Sequence, residues 1–191
     1  LKIVIKLKKR NILIFLTTLV CALGYLSYKS ALKFFYPIKY EDIVLKASDI
    51  YKVDKELIFA IIKCESGFDK NAHSRANACG LMQITPETFD WLKTCYTHDE
   101  KARNSQLKTP EVNILYGTLL ISILLKKYEN EETALSAYNA GISATDRWLS
   151  NKNHSPDGFN LENIPYKETR NYISRVKNAK NIYKKIYFKK E

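Results

Sequence analysis

The chain has 191 residues, 46% hydrophobic and 27% charged, with only six glycines and five prolines. That balance excludes bulk disorder, a collagenous repeat and a low-complexity chain, and the length suits one ordinary domain plus a short appendage. The net charge is +11, yet five of the 31 basic residues fall in the first ten positions and the first acid is Glu41. The remaining excess, 26 basic residues against 20 acidic ones, reads as solvated lysine on helix faces. No nucleic-acid-binding signature accompanies it, so no nucleic-acid partner is expected.

Residues 1–10 form a short basic tail, expected to be cytoplasmic. Residues 11–28 carry no charge and follow Lys8-Lys9-Arg10. These eighteen uncharged, mostly apolar residues fall just inside the length of a spanning helix, roughly 17–25 residues. The basic flank predicts a cytoplasmic amino terminus and an exported remainder, with Tyr25 and Tyr28 at an interface. A cleaved signal peptide is the rival reading, although no small-x-small site closes the apolar stretch. Cys21 invites a lipoprotein reading, but Val20 precedes it where a small residue is wanted. Residues 29–39 read as a connector, with the exported domain at 40–191. Single-pass anchoring in the cell membrane is the expectation.

Ile43, Val44, Ala47, Ile50 and Tyr51 recur at helical spacing. Asp54 stands where a helix cap belongs, before Leu57, Ile58, Ile61 and Ile62, and that helix should run to about Glu65. Ser66-Gly67 ends it, and Asp69 to Ala78 reads as a polar loop. Thr85-Pro86 and Thr109-Pro110 each combine a cap with proline at the first helical position. A long apolar helix follows Pro110, another spans Glu131 to Tyr138, and a short one surrounds Trp148. After a polar loop from Asn151 to Asn160, a basic amphipathic helix runs from Lys167 to Tyr187. Alternating strand patterns are scarce, so the fold class is mostly α.

Glu65 sits behind Ile61 and Ile62 at the end of an apolar helix. A carboxyl at an apolar wall favours its neutral form, and a neutral carboxyl can protonate a leaving oxygen. By position alone it reads rather as an ordinary helix-end glutamate. The downstream segment raises its standing: Ala78-Cys79-Gly80-Leu81-Met82-Gln83-Ile84 is an apolar run broken by a small turn and one amide. Gln83 offers the donor and acceptor that sugar hydroxyl and acetamido groups need.

Glu65-Ser66, Ser74 and Gly80-Leu81-Met82-Gln83-Ile84-Thr85-Pro86-Glu87-Thr88 together resemble the soluble-lytic-transglycosylase (SLT) catalytic domain family. That family is lysozyme-like, of goose-type-like helical architecture. Asn113-Ile114 with Gly117, Ala137-Tyr138-Asn139-Ala140-Gly141, and Ile164-Pro165-Tyr166 with Glu168-Thr169-Arg170 and Tyr172 resemble its later motifs in order, from about Tyr40 to Ile182. The resemblance implies cleavage of peptidoglycan glycan strands, with Glu65 as acid and then base. It places Ser74 near Glu65 or the substrate acetamido group, and Met82 and Gln83 along the glycan groove. Tyr138 would orient Glu65, Asn139 would hold the loop or the sugar, and Tyr166 would help close the groove. Asn77 stands where the family usually has glycine; asparagine tolerates left-handed backbone, so the turn is expected to survive. Cys64 and Cys79 depart from commonly small or aliphatic positions.

The motifs supply one obvious carboxyl. Asp69 reads as a turn residue, and Glu87 and Asp90 as helix-surface acids. A one-carboxyl site implies help from the substrate's own acetamido group and closure of a 1,6-anhydro ring rather than hydrolysis. A lysozyme-type hydrolase and a non-catalytic glycan-binding module are the alternatives, and cell-wall or secretion-machinery partners are conceivable. Cys64, Cys79 and Cys95 leave room for one disulfide, with Cys64–Cys79 the candidate, or for three free thiols. His73, His98 and His154 show no metal-ligand spacing, and neither cofactor nor metal is called for.

Overall fold

A computed structural model describes residues 2–99 and 101–188. The chain divides into two units, residues 1–37 and 38–191. The first is a single helix, α1 (Lys2–Phe35). Within it Leu13–Phe35, 23 residues, is long and apolar enough to cross a membrane. Thr17 and Thr18 turn their hydroxyls onto the carbonyls of Ile14 and Phe15, at 2.8 and 2.9 Å. Their polar groups are thus satisfied within the helix, as an apolar surrounding demands. The helix continues through residues 29–35, expected as connector. Nothing in Ser27 to Lys33 opposes helix, and it stops just ahead of Pro37, whose ring disfavours helical backbone before it. Tyr25 and Tyr28 lie within this helix, and Phe34 and Phe35 meet edge to face at its end, 5.4 Å apart.

The second unit contains α2 (Glu41–Tyr51), α3 (Lys55–Glu65), α4 (Pro86–Leu92), α5 (Pro110–Tyr128), α6 (Glu131–Ala140), α7 (Ile142–Leu149) and α8 (Lys167–Ile186). Among the described residues there is no strand, only isolated bridges from Cys79 to His73 and to Ile84. A π-helical turn, Lys93–Thr97, and a 3-10 turn, Asn104–Lys108, link α4 to α5. Neither carries a periodic signal long enough to read in sequence.

Helix α3 is central: Leu57 to Ile62 are consecutively buried. An apolar surface on every side lets α3 pack on both α2 and α8, while α5 packs on α2, α6 and α4. Phe59 stacks on Tyr183 of α8 with ring centres 5.4 Å apart. Thr85 caps α4 by accepting from Thr88 N at 3.2 Å, and Asn130 caps α6 by accepting from Thr133 N at 3.0 Å. Asp54 precedes α3 as expected but makes no capping bond. Its carboxylate instead meets Lys180 at 3.0 Å, and the same ammonium meets Glu131 at 2.6 Å. The starts of α3 and α6 are thereby tied to one point on α8.

The loop between α3 and α4 is fastened to α5. Asn113, wholly buried, accepts from Met82 N at 2.6 Å and donates to the carbonyls of Cys79 and Leu107 at 2.8 and 2.7 Å. Gly80 sits at φ 78°, and a Cβ there would overlap Asn113 Nδ2 and the Leu107 carbonyl. Gly117, one turn further along α5, leaves room for Met82: a Cβ would fall 2.5 Å from its sulfur and 2.7 Å from its Cβ. Asn77 adopts φ 58°, the left-handed turn expected of it.

Two substitutions test this fastening by urea or thermal unfolding. Asn113→Ala strands one donor and two acceptors and should cost roughly 3–5 kcal/mol. Gly117→Ala should destabilise by about 1–3 kcal/mol through overpacking, although alanine is the better helix former. An unchanged midpoint in either variant would contradict the packing described.

Candidate active site

Glu65 ends α3, and the six buried residues from Leu57 to Ile62 give it an apolar foundation. Burial pushes its carboxyl up from 4.5 to about 7. Hydrogen bonding to Tyr172 and the positive charge of Arg175 pull it down, and the negative charge of Glu168 adds to the rise. A position at the negative end of a helix works in the same direction as burial. The result is a carboxyl with both protonation states accessible near neutral pH.

Two tyrosines stand with it. The rings of Tyr138 (α6) and Tyr172 (α8) are parallel within 7°, with centres 6.5 Å apart. Burial, then the charge of Glu65, raises both hydroxyls well above the ordinary tyrosine value. Tyr138 donates its hydroxyl to the Met82 carbonyl at 2.8 Å, so its proton is committed to the loop. The hydroxyl facing Glu65 is that of Tyr172. It is buried, and its Oη has no hydrogen-bond partner among the described residues. Tyr138, expected to orient Glu65, gives its proton to the loop, and the charge of Glu65 acts on both tyrosines.

The loop closes beside Glu65 through Ser66, whose hydroxyl donates to the Leu81 carbonyl at 2.8 Å. Ser74 accepts from Ala78 N at 3.1 Å, so its hydroxyl braces the turn around Asn77. Gln83, at φ 49°, donates through Nε2 to the carbonyls of Gly80 and Ala72, at 2.9 and 3.2 Å. Met82, expected along the groove, has its side chain wholly buried against Gly117 and reaches the site through its backbone. Asn139 is half-buried in the last turn of α6. Tyr166, 54% exposed, lies edge-on to Trp148 with ring centres 4.9 Å apart.

Asp69 is a turn residue: its carboxylate accepts from Asn71 N at 2.9 Å. Asp90 pairs with Lys93, and Glu87 is exposed. The acid whose charge reaches Glu65 is Glu168, one turn before Tyr172 on α8, with Arg175 one turn after it. Spacing along α8 relative to Tyr172 is the sequence signal that could have assigned both. All four cysteines are free. The Cys64–Cys79 pairing is absent because the two face different surroundings: Cys64 lies in the field of Arg175 and Glu65, while Cys79 donates to the Asn77 carbonyl. Burial pushes the Cys64 thiol up to about 11, far from the thiolate a nucleophile needs.

This architecture has known counterparts. Soluble lytic murein transglycosylase of Salmonella typhimurium is 29% identical over 158 residues, covering 82% of this chain and 24% of that protein. Membrane-bound lytic murein transglycosylase C of Edwardsiella ictaluri is 32% identical over 171 residues, covering 78% of this chain and 47% of its own length. The chain therefore spans from about a quarter to about half of these relatives. An inactive Glu-to-Gln mutant of lytic transglycosylase Slt from Pseudomonas aeruginosa superposes with TM-score 0.72 at 30% identity, over 81% of this chain and 25% of that one. The 70-kDa soluble lytic transglycosylase in complex with bulgecin A superposes with TM-score 0.73 at 28% identity, over the same shares of both chains. The Transglycosylase SLT domain profile matches residues 42–158, and the chain belongs to that family.

Proposed function

We propose that residues 40–191 form a lytic transglycosylase domain that cleaves the β-1,4 bond between N-acetylmuramic acid and N-acetylglucosamine in peptidoglycan. The observation that carries this reading is Glu65, raised to about 7 by burial, in a family whose relatives bear transglycosylase names. Protonated Glu65 gives its proton to the leaving glycosidic oxygen as the muramic 2-acetamido oxygen attacks the anomeric carbon. The carboxylate so formed takes the proton of the 6-hydroxyl, whose oxygen then displaces the acetamido oxygen and closes a 1,6-anhydro ring. Tyr172 steadies the carboxylate between the two steps. Ser74, Gln83 and Asn139 have roles in holding the groove or sugar, Met82 supports the loop from the core, and Tyr166 flanks the groove.

Helix α1 acts as a single-pass anchor with its basic end cytoplasmic and the domain outside the membrane. Its apolar length and the membrane-bound name of the Edwardsiella ictaluri relative support this. A lysozyme-type hydrolase is the second reading, favoured by the charge of Glu168 reaching Glu65, which would make Glu168 the second carboxyl. Mass spectrometry of digested peptidoglycan separates the two. Anhydro-muropeptides are the expected product, whereas mainly reducing-end muramic acid would establish hydrolysis.

Glu65→Gln should keep the fold and lower turnover by about 10²–10⁴-fold, the usual contribution of a general acid–base group. Full activity in that variant would remove Glu65 from the mechanism. Because the first step uses the protonated acid, wild-type activity should fall as pH rises above about 7. Stability carries the same sign. A carboxyl raised from 4.5 to about 7 favours the folded state most below pH 4.5, and that contribution is lost as pH rises through 7. Glu65→Gln should therefore be more stable than wild type at pH 8, by roughly 3 kcal/mol at most, with the gap closing at pH 4. Tyr172→Phe removes a contact that lowers Glu65, so the alkaline limb of its pH–rate profile should move upward. A limb that stays in place would separate Tyr172 from the carboxyl.

A further inference from the structure

The last two turns of α1 differ from the rest of the helix. Residues 11–28 carry no charge, whereas residues 29–35 hold Lys29 and Lys33. The stretch long enough to cross a membrane, Leu13–Phe35, includes both lysines. One helix thus allows two outer boundaries. The first lies near Phe35, with both ammonium groups drawn into hydrocarbon. The second lies near Tyr28, ahead of them.

We propose that the hydrocarbon segment ends near Tyr28 and that residues 29–35 form a helical collar in the headgroup layer, with Lys29 and Lys33 on lipid phosphates. The inference rests on the reading of α1 as a single-pass anchor with its basic end cytoplasmic.

Length permits the inner boundary. Eighteen helical residues, 11–28, make about 27 Å of helix, close to the thickness of a hydrocarbon core. The direction of the side chains favours it. Side chains on a helix lean toward its amino terminus. At the outward, carboxyl-terminal end of α1 a lysine therefore leans back toward the bilayer centre, against the direction in which it would have to snorkel. Lys29 has this lean: its Nζ stands over the Tyr25 ring, one turn inward, 5.0 Å from the centroid. An ammonium held there reaches water and phosphate only when the backbone at 29 is already outside the hydrocarbon. The Tyr25 ring beneath it is the amphipathic kind that settles at headgroup level. The faces of the collar agree. Lys29 and Lys33 are four residues apart and share one side of the helix, while Ala31, Phe34 and Phe35 fall on the other. Phe34 and Phe35 are 79% and 61% exposed. Cations on one side and apolar rings on the other match an interfacial segment, whereas hydrocarbon offers nothing to the cationic side.

The test places the full chain in lipid nanodiscs of phosphatidylcholine and phosphatidylglycerol, open to water on both sides. A membrane-impermeant maleimide is added, and peptide mass spectrometry locates the label. Native Cys21, a free thiol within the uncharged stretch, should stay protected. Ser30→Cys should label at least about tenfold faster than Cys21. Adding Lys29→Leu and Lys33→Leu should draw the boundary outward and slow that labelling to near the Cys21 rate. Protection of Ser30→Cys with the lysines in place would put the boundary near Phe35 and overturn the collar while leaving the anchor. Labelling of Ser30→Cys that ignores the loss of both lysines would also overturn the collar. Rapid labelling of Cys21 would overturn the anchor itself. Contact with phosphate is read by spin-labelled lipids. Phosphatidylglycerol should gather at the helix in preference to phosphatidylcholine, and the two leucine substitutions should lower that preference by about twofold or more. The basic residues at the other end of α1 are common to both proteins, so an unchanged preference would overturn lipid phosphate as the partner of Lys29 and Lys33.

Discussion

The side-chain amide of Asn113 is the contact on which the site depends. Its three hydrogen bonds reach Met82 N and the Cys79 and Leu107 carbonyls, joining two loops to the start of α5. With the backbone at 79–82 fixed, the Met82 carbonyl is aimed at Tyr138 and the Leu81 carbonyl at Ser66, the residue after Glu65. The carboxyl is therefore located from two sides, by α3 beneath it and by a loop whose position α5 dictates. A buried amide with every polar atom used is rigid as well as satisfied, since any displacement would expose unpaired groups to an apolar interior. The same closeness leaves no room for a side chain at Gly80 or Gly117.

Electrostatics around Glu65 oppose one another. Burial raises the carboxyl, and Glu168 adds to that; Tyr172 and Arg175 reverse part of it. Burial favours the neutral form of the group, and full solvation would favour the ionised one. Helix α8 supplies all three neighbours within a stretch of two turns, so its placement controls the acid as directly as α3 does. That placement is secured away from the site, by Lys180 meeting Asp54 and Glu131 and by Tyr183 on Phe59.

Much of this fold is legible in the chain. Apolar spacing locates α2, α3, α5 and α8, and the Thr-Pro pairs locate the starts of α4 and α5, because these signals act within a turn or two of backbone. The apolar residues one turn before Glu65 hint at its burial, but only the motif residues downstream lift it above an ordinary helix-end glutamate. What stays hidden depends on residues distant in sequence. Asn113 reads as a motif position without a role, since its acceptors and donor lie 6 to 34 residues away. Asp54 reads as a cap because capping is the local alternative, and Lys180 competes for its carboxylate from the far end of the domain. Met82 reads as a groove residue, yet the missing side chain at Gly117 opens a core position for it. Sequence does not tell Tyr138 and Tyr172 apart, because which hydroxyl the Met82 carbonyl takes up is decided by helix packing.

The single-carboxyl reading also accounts for why a value near 7 suits this site. In a two-carboxyl glycosidase one group stays protonated as acid while the other stays ionised, so their environments must push them apart. Under the proposed mechanism one group would be acid in the first step and base in the second, with the substrate supplying the nucleophile in between. A carboxyl far above 7 would surrender its proton slowly, and one far below would reclaim the 6-hydroxyl proton poorly. An intermediate value serves both transfers. On that proposal Glu168, exposed and one turn from Tyr172, favours the neutral form of Glu65, while Arg175 favours the carboxylate. In the proposed one-acid site the opposing charges on α8 would take the place of the second carboxyl of a two-acid one.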